Sequence, residues 1–285
     1  MKKIKIFFCD VWPEFPQENF ILQTLKKHFS VNIDAISPDI VFHSIFGGMK
    51  ESPKYKCKKV LFLGENYRPS RFNSDYSISF DPHSETNFRL PLWQIFILLK
   101  PIYLDMLFDR VKHVSFDRFC SFTVSNPNNF FRNAAFGSIN SYKKVNSYGK
   151  YMINDMRLHE LSQGKYWRDA KDEFFNSISH KFAITYENTS YPGYTTEKLM
   201  DAFLAGSMGI YWGNSRICDE FNEKAFINAN KIHGIDMLEY IKKLDTDDIE
   251  FKKIYNEPVF TDIQKNKLIE NLSGFEDWLI KIVNV

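Results

Sequence analysis

Residues 181–213 constrain the fold of this chain more than any other stretch of its sequence. They read as an apolar strand over 182–186, a loop with turn chemistry, an amphipathic helix over 196–205 and a second apolar strand over 208–212. Two strands joined through a helix run parallel, because the crossover returns the chain to the same edge of the sheet. The stretch therefore predicts a β-loop-α-β unit within a parallel sheet.

Polar residues collect where the first of these strands ends and the helix begins. This edge is where ligands bind in open α/β sheets, and a helix N-terminus suits a phosphate group. Thr195 or Thr196 is the expected N-cap of the helix. A lysine in the first turn opposes the helix dipole, so Lys198 indicates a nearby anion; a solvated surface lysine is the alternative. The polar residues are Glu187, Asn188, Tyr194, Glu197 and Lys198.

A second acidic group follows another predicted strand. Residues 59–63 are rich in apolar side chains and lead into Glu65. A carboxylate held at a sheet edge is suited to act as a general base, whereas an ion pair with Arg68 or Arg71 is the alternative. The alternation of strands and helices along the chain predicts an α/β fold with mostly parallel strands.

Composition narrows the class of protein. A chain of 285 residues suits two domains, and a net charge of +2 argues against nucleic-acid binding by bulk electrostatics. The four cysteines lie far apart, which predicts neither a zinc site nor a disulfide framework. No stretch approaches the roughly 20 apolar residues of a membrane span. We expect a cytoplasmic protein with at most peripheral contact at the inner face of the cytoplasmic membrane.

Three separated segments resemble the α1,3/4-fucosyltransferases of glycosyltransferase family 10, and most closely the bacterial members. The first is Gly64-Glu65-Asn66, and the second is Ser125-Asn126-Pro127 with Arg132-Asn133. The third is Glu187-Asn188 with Tyr194-x-Thr196-Glu197-Lys198, followed by Ile210-Tyr211-Trp212-Gly213. The segments occur in the order found in the family, and the resemblance extends over most of the chain.

The resemblance implies a GT-B fold, with two Rossmann-like domains facing across a cleft. Residues 1–117 would bind the acceptor, residues 118–260 would bind the GDP-sugar, and the helix over 261–285 would pack back on the first domain. The implied reaction is inverting transfer of L-fucose from GDP-fucose to a GlcNAc- or Glc-containing glycan such as N-acetyllactosamine. An α1,3 linkage is favoured, in the synthesis of bacterial surface glycans such as lipopolysaccharide.

The resemblance also implies roles for single residues. Glu65 would be the general base, and Arg132 and Lys198 would stabilise the leaving diphosphate where other transferases use a divalent metal. No cofactor is then required, although stimulation by Mn²⁺ remains open. Glu197 would bond the ribose, and Glu187 would either balance charge on the sugar or orient Lys198. The implied GDP-fucose-binding residues are Ser125, Asn126, Arg132, Glu187, Asn188, Tyr194, Thr196, Glu197 and Lys198.

Other readings of the sequence remain open at this point. A metal-dependent transferase of the GT-A type needs a DxD pair, which Asp245-Thr246-Asp247 matches literally. A transferase of another GDP-deoxysugar and a non-catalytic sugar-nucleotide or glycan-binding protein fit the same fold. A dinucleotide dehydrogenase is disfavoured because no GxGxxG follows a strand. The oligomeric state is not predicted.

Overall fold

The computed structural model describes residues 1–13, 15 and 19–284, and the chain divides into two units. The first unit is Met1–Pro101 together with Asn266–Val285, and the second is Ile102–Lys265. Four residues of the predicted first domain, Glu14 and residues 16–18, lie outside the described residues, as does Val285 at the predicted end of the terminal helix.

The first unit is built on a six-stranded sheet in which every pair of neighbouring strands is parallel, in the order β2-β1-β3-β4-β5-β6. The strands are β1 (Lys2–Cys9), β2 (Phe29–Ile33), β3 (Ile40–His43), β4 (Lys58–Phe62), β5 (Tyr76–Ser79) and β6 (Asn87–Arg89). Two helices, α1 (Phe20–His28) and α2 (Leu92–Leu99), belong to the same unit. The apolar character of the central strands follows from burial on both faces.

The C-terminal helix completes the core of the first unit. This helix, α10, spans Asp262–Asn284. Its Phe275 is fully buried, with ring centroids 5.6 Å from Phe20 and 5.5 Å from Phe88. Large aromatic side chains contribute most to a core of this kind, so the helix from Asn266 onward is part of the first unit.

The second unit is built on a five-stranded parallel sheet in the order β11-β10-β9-β7-β8. Its register places Ile184 of β9 opposite Ile210 of β10 and Phe122 of β7. The strands are β7 (Arg118–Phe122), β8 (Val145–Ser147), β9 (His180–Ile184), β10 (Met208–Tyr211) and β11 (Ile227–Asn228). The helices are α3 (Ile102–Phe108), α4 (Phe130–Tyr142), α5 (Arg157–Leu161), α6 (Trp167–Ser177), α7 (Lys198–Leu204), α8 (Gly234–Thr246) and α9 (Asp248–Tyr255).

The boundaries between the units differ from those predicted. The first division falls after residue 101 and not after 117, because α3 packs into the second unit, where the Tyr103 hydroxyl accepts a hydrogen bond from Arg168 Nε at 2.9 Å. The second division falls after residue 265 and not after 260, since Gln264 Nε2 donates to the Cys218 carbonyl at 2.8 Å.

Two parallel sheets with intervening helices confirm the predicted α/β class. Across the part of the chain that the structure describes, no helix combines the length and the apolar character that crossing a membrane requires.

Candidate active site

The carboxyl ends of the parallel strands in the second unit carry most of the predicted site residues. The segment after β7 holds Ser125 and Asn126, and the segment after β9 holds residues 187–197. Neighbouring parallel strands end at the same edge, so these segments meet there. The structure therefore brings the second and third family-like segments together.

Glu187 is the buried centre of this edge. Its side chain is inaccessible to solvent, and its Oε1 accepts from the Thr196 backbone N–H at 2.7 Å. Its Oε2 accepts from the Thr196 hydroxyl at 2.6 Å and from Lys198 Nζ at 3.2 Å. Burial raises the pKa of Glu187 above its ordinary value, although Lys198 and the Thr196 hydrogen bonds oppose that shift. Glu187 thus ties the end of β9 to the start of α7.

The start of α7 differs from the prediction. The helix begins at Lys198, with Glu197 at the cap position and no side-chain capping bond. The expectation that Thr195 or Thr196 caps the helix is wrong, because the Thr196 hydroxyl donates to Glu187 and its oxygen accepts from Lys198 Nζ at 2.9 Å. The Thr195 hydroxyl donates to Glu220 Oε1 at 2.8 Å. The Thr196 N–H, expected to face a phosphate, is taken by a carboxylate of the chain itself.

Lys198 lies between two carboxylates. Its Nζ is 3.2 Å from Glu187 Oε2 and 3.6 Å from Glu197 Oε1, and its side chain is only 17% exposed. The alternative of a solvated surface lysine is therefore wrong. Burial would lower the pKa of Lys198, but Glu197 and Glu187 raise it above its ordinary value. Lys198 keeps its positive charge throughout the physiological range.

Glu197 gives a pH-dependent prediction. Burial would raise its pKa, but Lys198 and Lys171 lower it from 4.5 to about 2. A carboxyl whose pKa is lower in the folded state stabilises the fold above the unfolded pKa, and this contribution is lost as the pH falls from 4.5 to about 2. The stability difference between the wild type and Glu197→Gln should therefore shrink below about pH 4.5, by up to about 1.4 kcal/mol per pH unit. Urea unfolding between pH 6 and 3 measures this; a pH-independent difference would contradict the shift.

Arg132 is a fully buried cation at the same edge. Its Nη1 donates to Asn188 Oδ1 at 2.7 Å, and its Nη2 donates to the Asn126 carbonyl. The buried Nε of this guanidinium has no hydrogen-bond partner among the residues that the structure describes. Burial lowers the pKa of Arg132, while Glu187 opposes that shift. A buried arginine held by neutral oxygens is well suited to receive an anion.

The remaining predicted residues of the second unit differ in their exposure to solvent. Ser125 and Asn126 are exposed, and Asn126 Oδ1 accepts from the Asn128 N–H at 2.8 Å, which shapes the turn after β7. Tyr194 is almost completely buried. Asn126 thus contacts Arg132 through its main chain, whereas its side chain belongs to the turn.

Two asparagines that the sequence analysis missed hold these segments. The Asn129 side chain caps α4 and also bonds the main chain after β9. Asn214 Oδ1 accepts from the Gly193 N–H at 2.7 Å, and its Nδ2 donates to Thr195 Oγ1 at 2.9 Å. An asparagine directly before a helical pattern is a recognisable cap signal that could have identified Asn129. Asn214 also accepts from the Arg216 N–H at 2.8 Å, which is a local turn contact, but its bonds to Gly193 and Thr195 join segments about twenty residues apart and leave no local signal.

Gly213 ends the third family-like segment for a steric reason. Its φ is +152°, and a Cβ added there would lie 2.5 Å from Glu187 Cγ. Any other residue would push against the buried carboxylate. The glycine after Trp212 is thus linked physically to Glu187.

Glu65 lies in the first unit, in the segment that follows β4. It is exposed, and its carbonyl accepts from the Tyr67 N–H at 2.7 Å. Arg68, the predicted alternative partner, forms an ion pair with Asp81 and donates to Asn66 Oδ1. Because it follows β4, Glu65 lies at the carboxyl edge of the sheet in the first unit, as expected from the sequence.

The DxD-like triplet has structural roles. Asp245 Oδ2 accepts from Lys143 Nζ at 2.9 Å and from the Tyr142 hydroxyl at 3.0 Å. Asp247 is the N-cap of α9 and accepts from two backbone N–H groups at 3.0 Å. Neither aspartate follows a strand of the sheet. This arrangement favours the structural interpretation of the triplet over the GT-A alternative.

Comparison with known protein families shows which family this chain belongs to. Residues 6–96 match the N-terminal domain of alpha-(1,3)-fucosyltransferase FucT, and residues 116–269 match the C-terminal part of glycosyltransferase family 10 (fucosyltransferase). The chain belongs to glycosyltransferase family 10. The match covers all three segments that carried the resemblance in the sequence.

Individual relatives agree with this family. The chain is 37% identical over 145 residues to a protein of Acanthamoeba polyphaga mimivirus assigned as a fucosyltransferase, covering 48% of this chain and 24% of that protein. It is 27% identical over 275 residues to the alpha-(1,3)-fucosyltransferase FucT of Helicobacter pylori, covering 82% of this chain and 54% of the relative. The chain thus spans about half or less of the length of these two family members.

A solved structure shares the fold. The crystal structure of an alpha1,3-fucosyltransferase with GDP-fucose aligns with a TM-score of 0.73 at 23% sequence identity, covering 98% of this chain and 90% of that one. The GT-B class predicted for this family 10 chain is thereby confirmed.

Proposed function

We propose that this family 10 protein transfers L-fucose from GDP-fucose to a hydroxyl of a GlcNAc- or Glc-containing glycan, with inversion and with an α1,3 linkage. The observation that carries the proposal is the buried Arg132 bonded to Asn188, in the same cluster of segments as Lys198. Two cations at one sheet edge suit a diphosphate. Membership of a fucosyltransferase family supports fucose as the sugar.

The chemistry assigns one task to each unit. In the first unit, the Glu65 carboxylate takes the proton from the acceptor hydroxyl as that oxygen bonds to C1 of fucose. The bond between C1 and the β-phosphate oxygen breaks, and GDP leaves with the bonding electron pair. Attack from the face opposite to the leaving group converts the β-linked donor into an α-linked product.

The second unit stabilises the leaving group. Negative charge grows on the diphosphate as the bond breaks, and the fixed positive charges of Arg132 and Lys198 lower the energy of that state. The ionised Glu197 accepts a hydrogen bond from a ribose hydroxyl. Glu187 acts as a positioning residue, because its hydrogen bond with Nζ holds Lys198 in place. With two cations from the chain itself, we propose that no metal is required.

We further propose that the reaction serves the synthesis of surface glycans such as lipopolysaccharide that carries Lewis antigens. N-acetyllactosamine is the simplest acceptor of this class, and its GlcNAc hydroxyl at position 3 is the proposed nucleophile.

GDP release from GDP-fucose tests the proposal. We expect the protein, after treatment with EDTA, to release GDP in the presence of N-acetyllactosamine and to form an α1,3-linked product by NMR. The same assay with GDP-mannose controls for the donor sugar. Turnover that appears only after Mn²⁺ is added would contradict the metal-independent mechanism, and GDP-fucose binding without turnover on any glycan would favour a non-catalytic binding protein.

A further inference from the structure

We propose that Asn129 is a positioning residue that holds the two donor-binding segments of the second unit in one arrangement. The inference rests on the proposed function, since it assigns Arg132 and Asn188 to the donor. Asn129 itself contacts neither the diphosphate nor the sugar in this proposal. It acts through the residues that do.

The Asn129 side chain bonds three main-chain groups from two segments. Its Oδ1 accepts from the Arg132 N–H at 2.9 Å. Its Nδ2 donates to the Glu187 carbonyl at 2.9 Å and to the Asn188 carbonyl at 2.9 Å. The residue is 8% exposed, so water does not readily replace these bonds.

These bonds join the two segments at Arg132 and Asn188, the residues proposed to bind the donor diphosphate. Fixing the carbonyls of both Glu187 and Asn188 sets the turn after β9, and with it the direction of the Asn188 side chain. Asn188 Oδ1 accepts from Arg132 Nη1 at 2.7 Å, so the Arg132 guanidinium is held at its far end as well as at its backbone. Together the contacts form a closed loop from Asn129 to Arg132, to Asn188 and back to Asn129.

Capping alone does not explain this arrangement. A helix N-cap needs only the side-chain oxygen, which serine and aspartate supply equally well. Asn19 provides the comparison within the chain, because it caps α1 through Oδ1 with a bond of 2.8 Å from the Leu22 N–H. The Asn19 amide donates locally, to the Phe15 carbonyl at 2.9 Å. The Asn129 amide instead reaches a segment 58 residues away.

Asn129→Ser separates capping from positioning, since serine keeps the cap and removes the amide donor. We expect its Kd for GDP, measured by isothermal titration calorimetry, to rise at least about ten-fold, because the loss of two buried hydrogen bonds misplaces Asn188 and Arg132. The KM for GDP-fucose should rise with it, while the KM for the acceptor stays within about two-fold.

Asn129→Asp, which places a carboxylate against two carbonyl oxygens, should raise the Kd further. Asn19→Ser is the control and should leave the Kd unchanged.

The melting temperature distinguishes a general loss of stability from a positioning role. Comparable decreases for Asn129→Ser and Asn19→Ser, with weaker GDP binding only in the first, would support the inference. Unchanged GDP binding by Asn129→Ser, while the wild type binds GDP, would overturn it. A wild-type protein that does not bind GDP would instead overturn the proposed function on which the inference rests.

Discussion

Glu65→Gln should reduce fucose transfer by about 10² to 10⁴-fold and leave GDP binding unchanged. Glutamine keeps the size and the hydrogen-bonding oxygen of the side chain but cannot take the acceptor proton, so the loss corresponds to the contribution of a general base. Arg132 and Lys198, the residues proposed to bind the diphosphate, lie in the second unit and are unchanged by this substitution, so GDP binding should persist. Initial rates of GDP release and a GDP titration by calorimetry measure the two effects separately.

Glu85→Gln is the matched control for this prediction. Glu85 is an exposed glutamate of the same unit, placed between β5 and β6. Its replacement should change the rate by less than two-fold, since the substitution removes one exposed charge that has no role in the proposed chemistry. Transfer at the wild-type rate by Glu65→Gln would show that another group takes the acceptor proton. Loss of GDP binding in that variant would instead indicate damage to the protein as a whole.

Lys198→Gln should both abolish transfer and destabilise the protein by about 3–5 kcal/mol, the usual effect of removing one partner from a buried ion pair. The substitution leaves Glu187, which is inaccessible to solvent, without its cation, and Glu197 loses a partner at 3.6 Å. It also removes one of the two proposed cations at the diphosphate, so the Kd for GDP should rise. Urea unfolding at pH 7 and GDP calorimetry measure the two consequences.

Two further variants make the stability effect interpretable. Glu187→Gln combined with Lys198→Gln removes both charges and should recover part of the lost stability without recovering activity. Lys242→Gln removes a lysine whose pair with Glu239 is largely exposed, and should change stability by less than about 1 kcal/mol. If Lys198→Gln destabilises the protein no more than Lys242→Gln, the Glu187 carboxylate is not held as a buried ion pair.

Local patterns predicted the elements of this fold because each depends on few neighbours in the chain. The strands predicted at 182–186 and 208–212 overlap β9 and β10, and the predicted parallel pairing is present, with Ile184 opposite Ile210. Buried strands of a parallel sheet are apolar throughout, so their sequence signal is strong. The capping oxygen of Asn129 belongs to the same class of local signal.

The division of the structure after residue 101, and not after the predicted residue 117, depends on contacts between residues that are distant in the chain. The residues between 101 and 118 carry no clear pattern, and the sequence offers no reason to place them with either half. In the structure, Tyr103 bonds Arg168, which lies 65 residues further along the chain, and this contact assigns α3 to the second unit. A side-chain pair at such a separation leaves no periodicity for a sequence to display.

The sequence by itself determined the class of fold, the family and the identity of the polar residues at the sheet edge. Apolar strands, turn residues and the spacing of Glu187, Thr196 and Lys198 are local properties of the chain. Only the tertiary structure decided what those residues bond to: the Thr196 N–H donates to Glu187, and the Thr196 hydroxyl, which was expected to cap the helix, donates to the same carboxylate. The physical reason is burial. A carboxylate without access to water must find donors wherever the fold brings them, and those donors are set by packing between segments that are distant in the sequence.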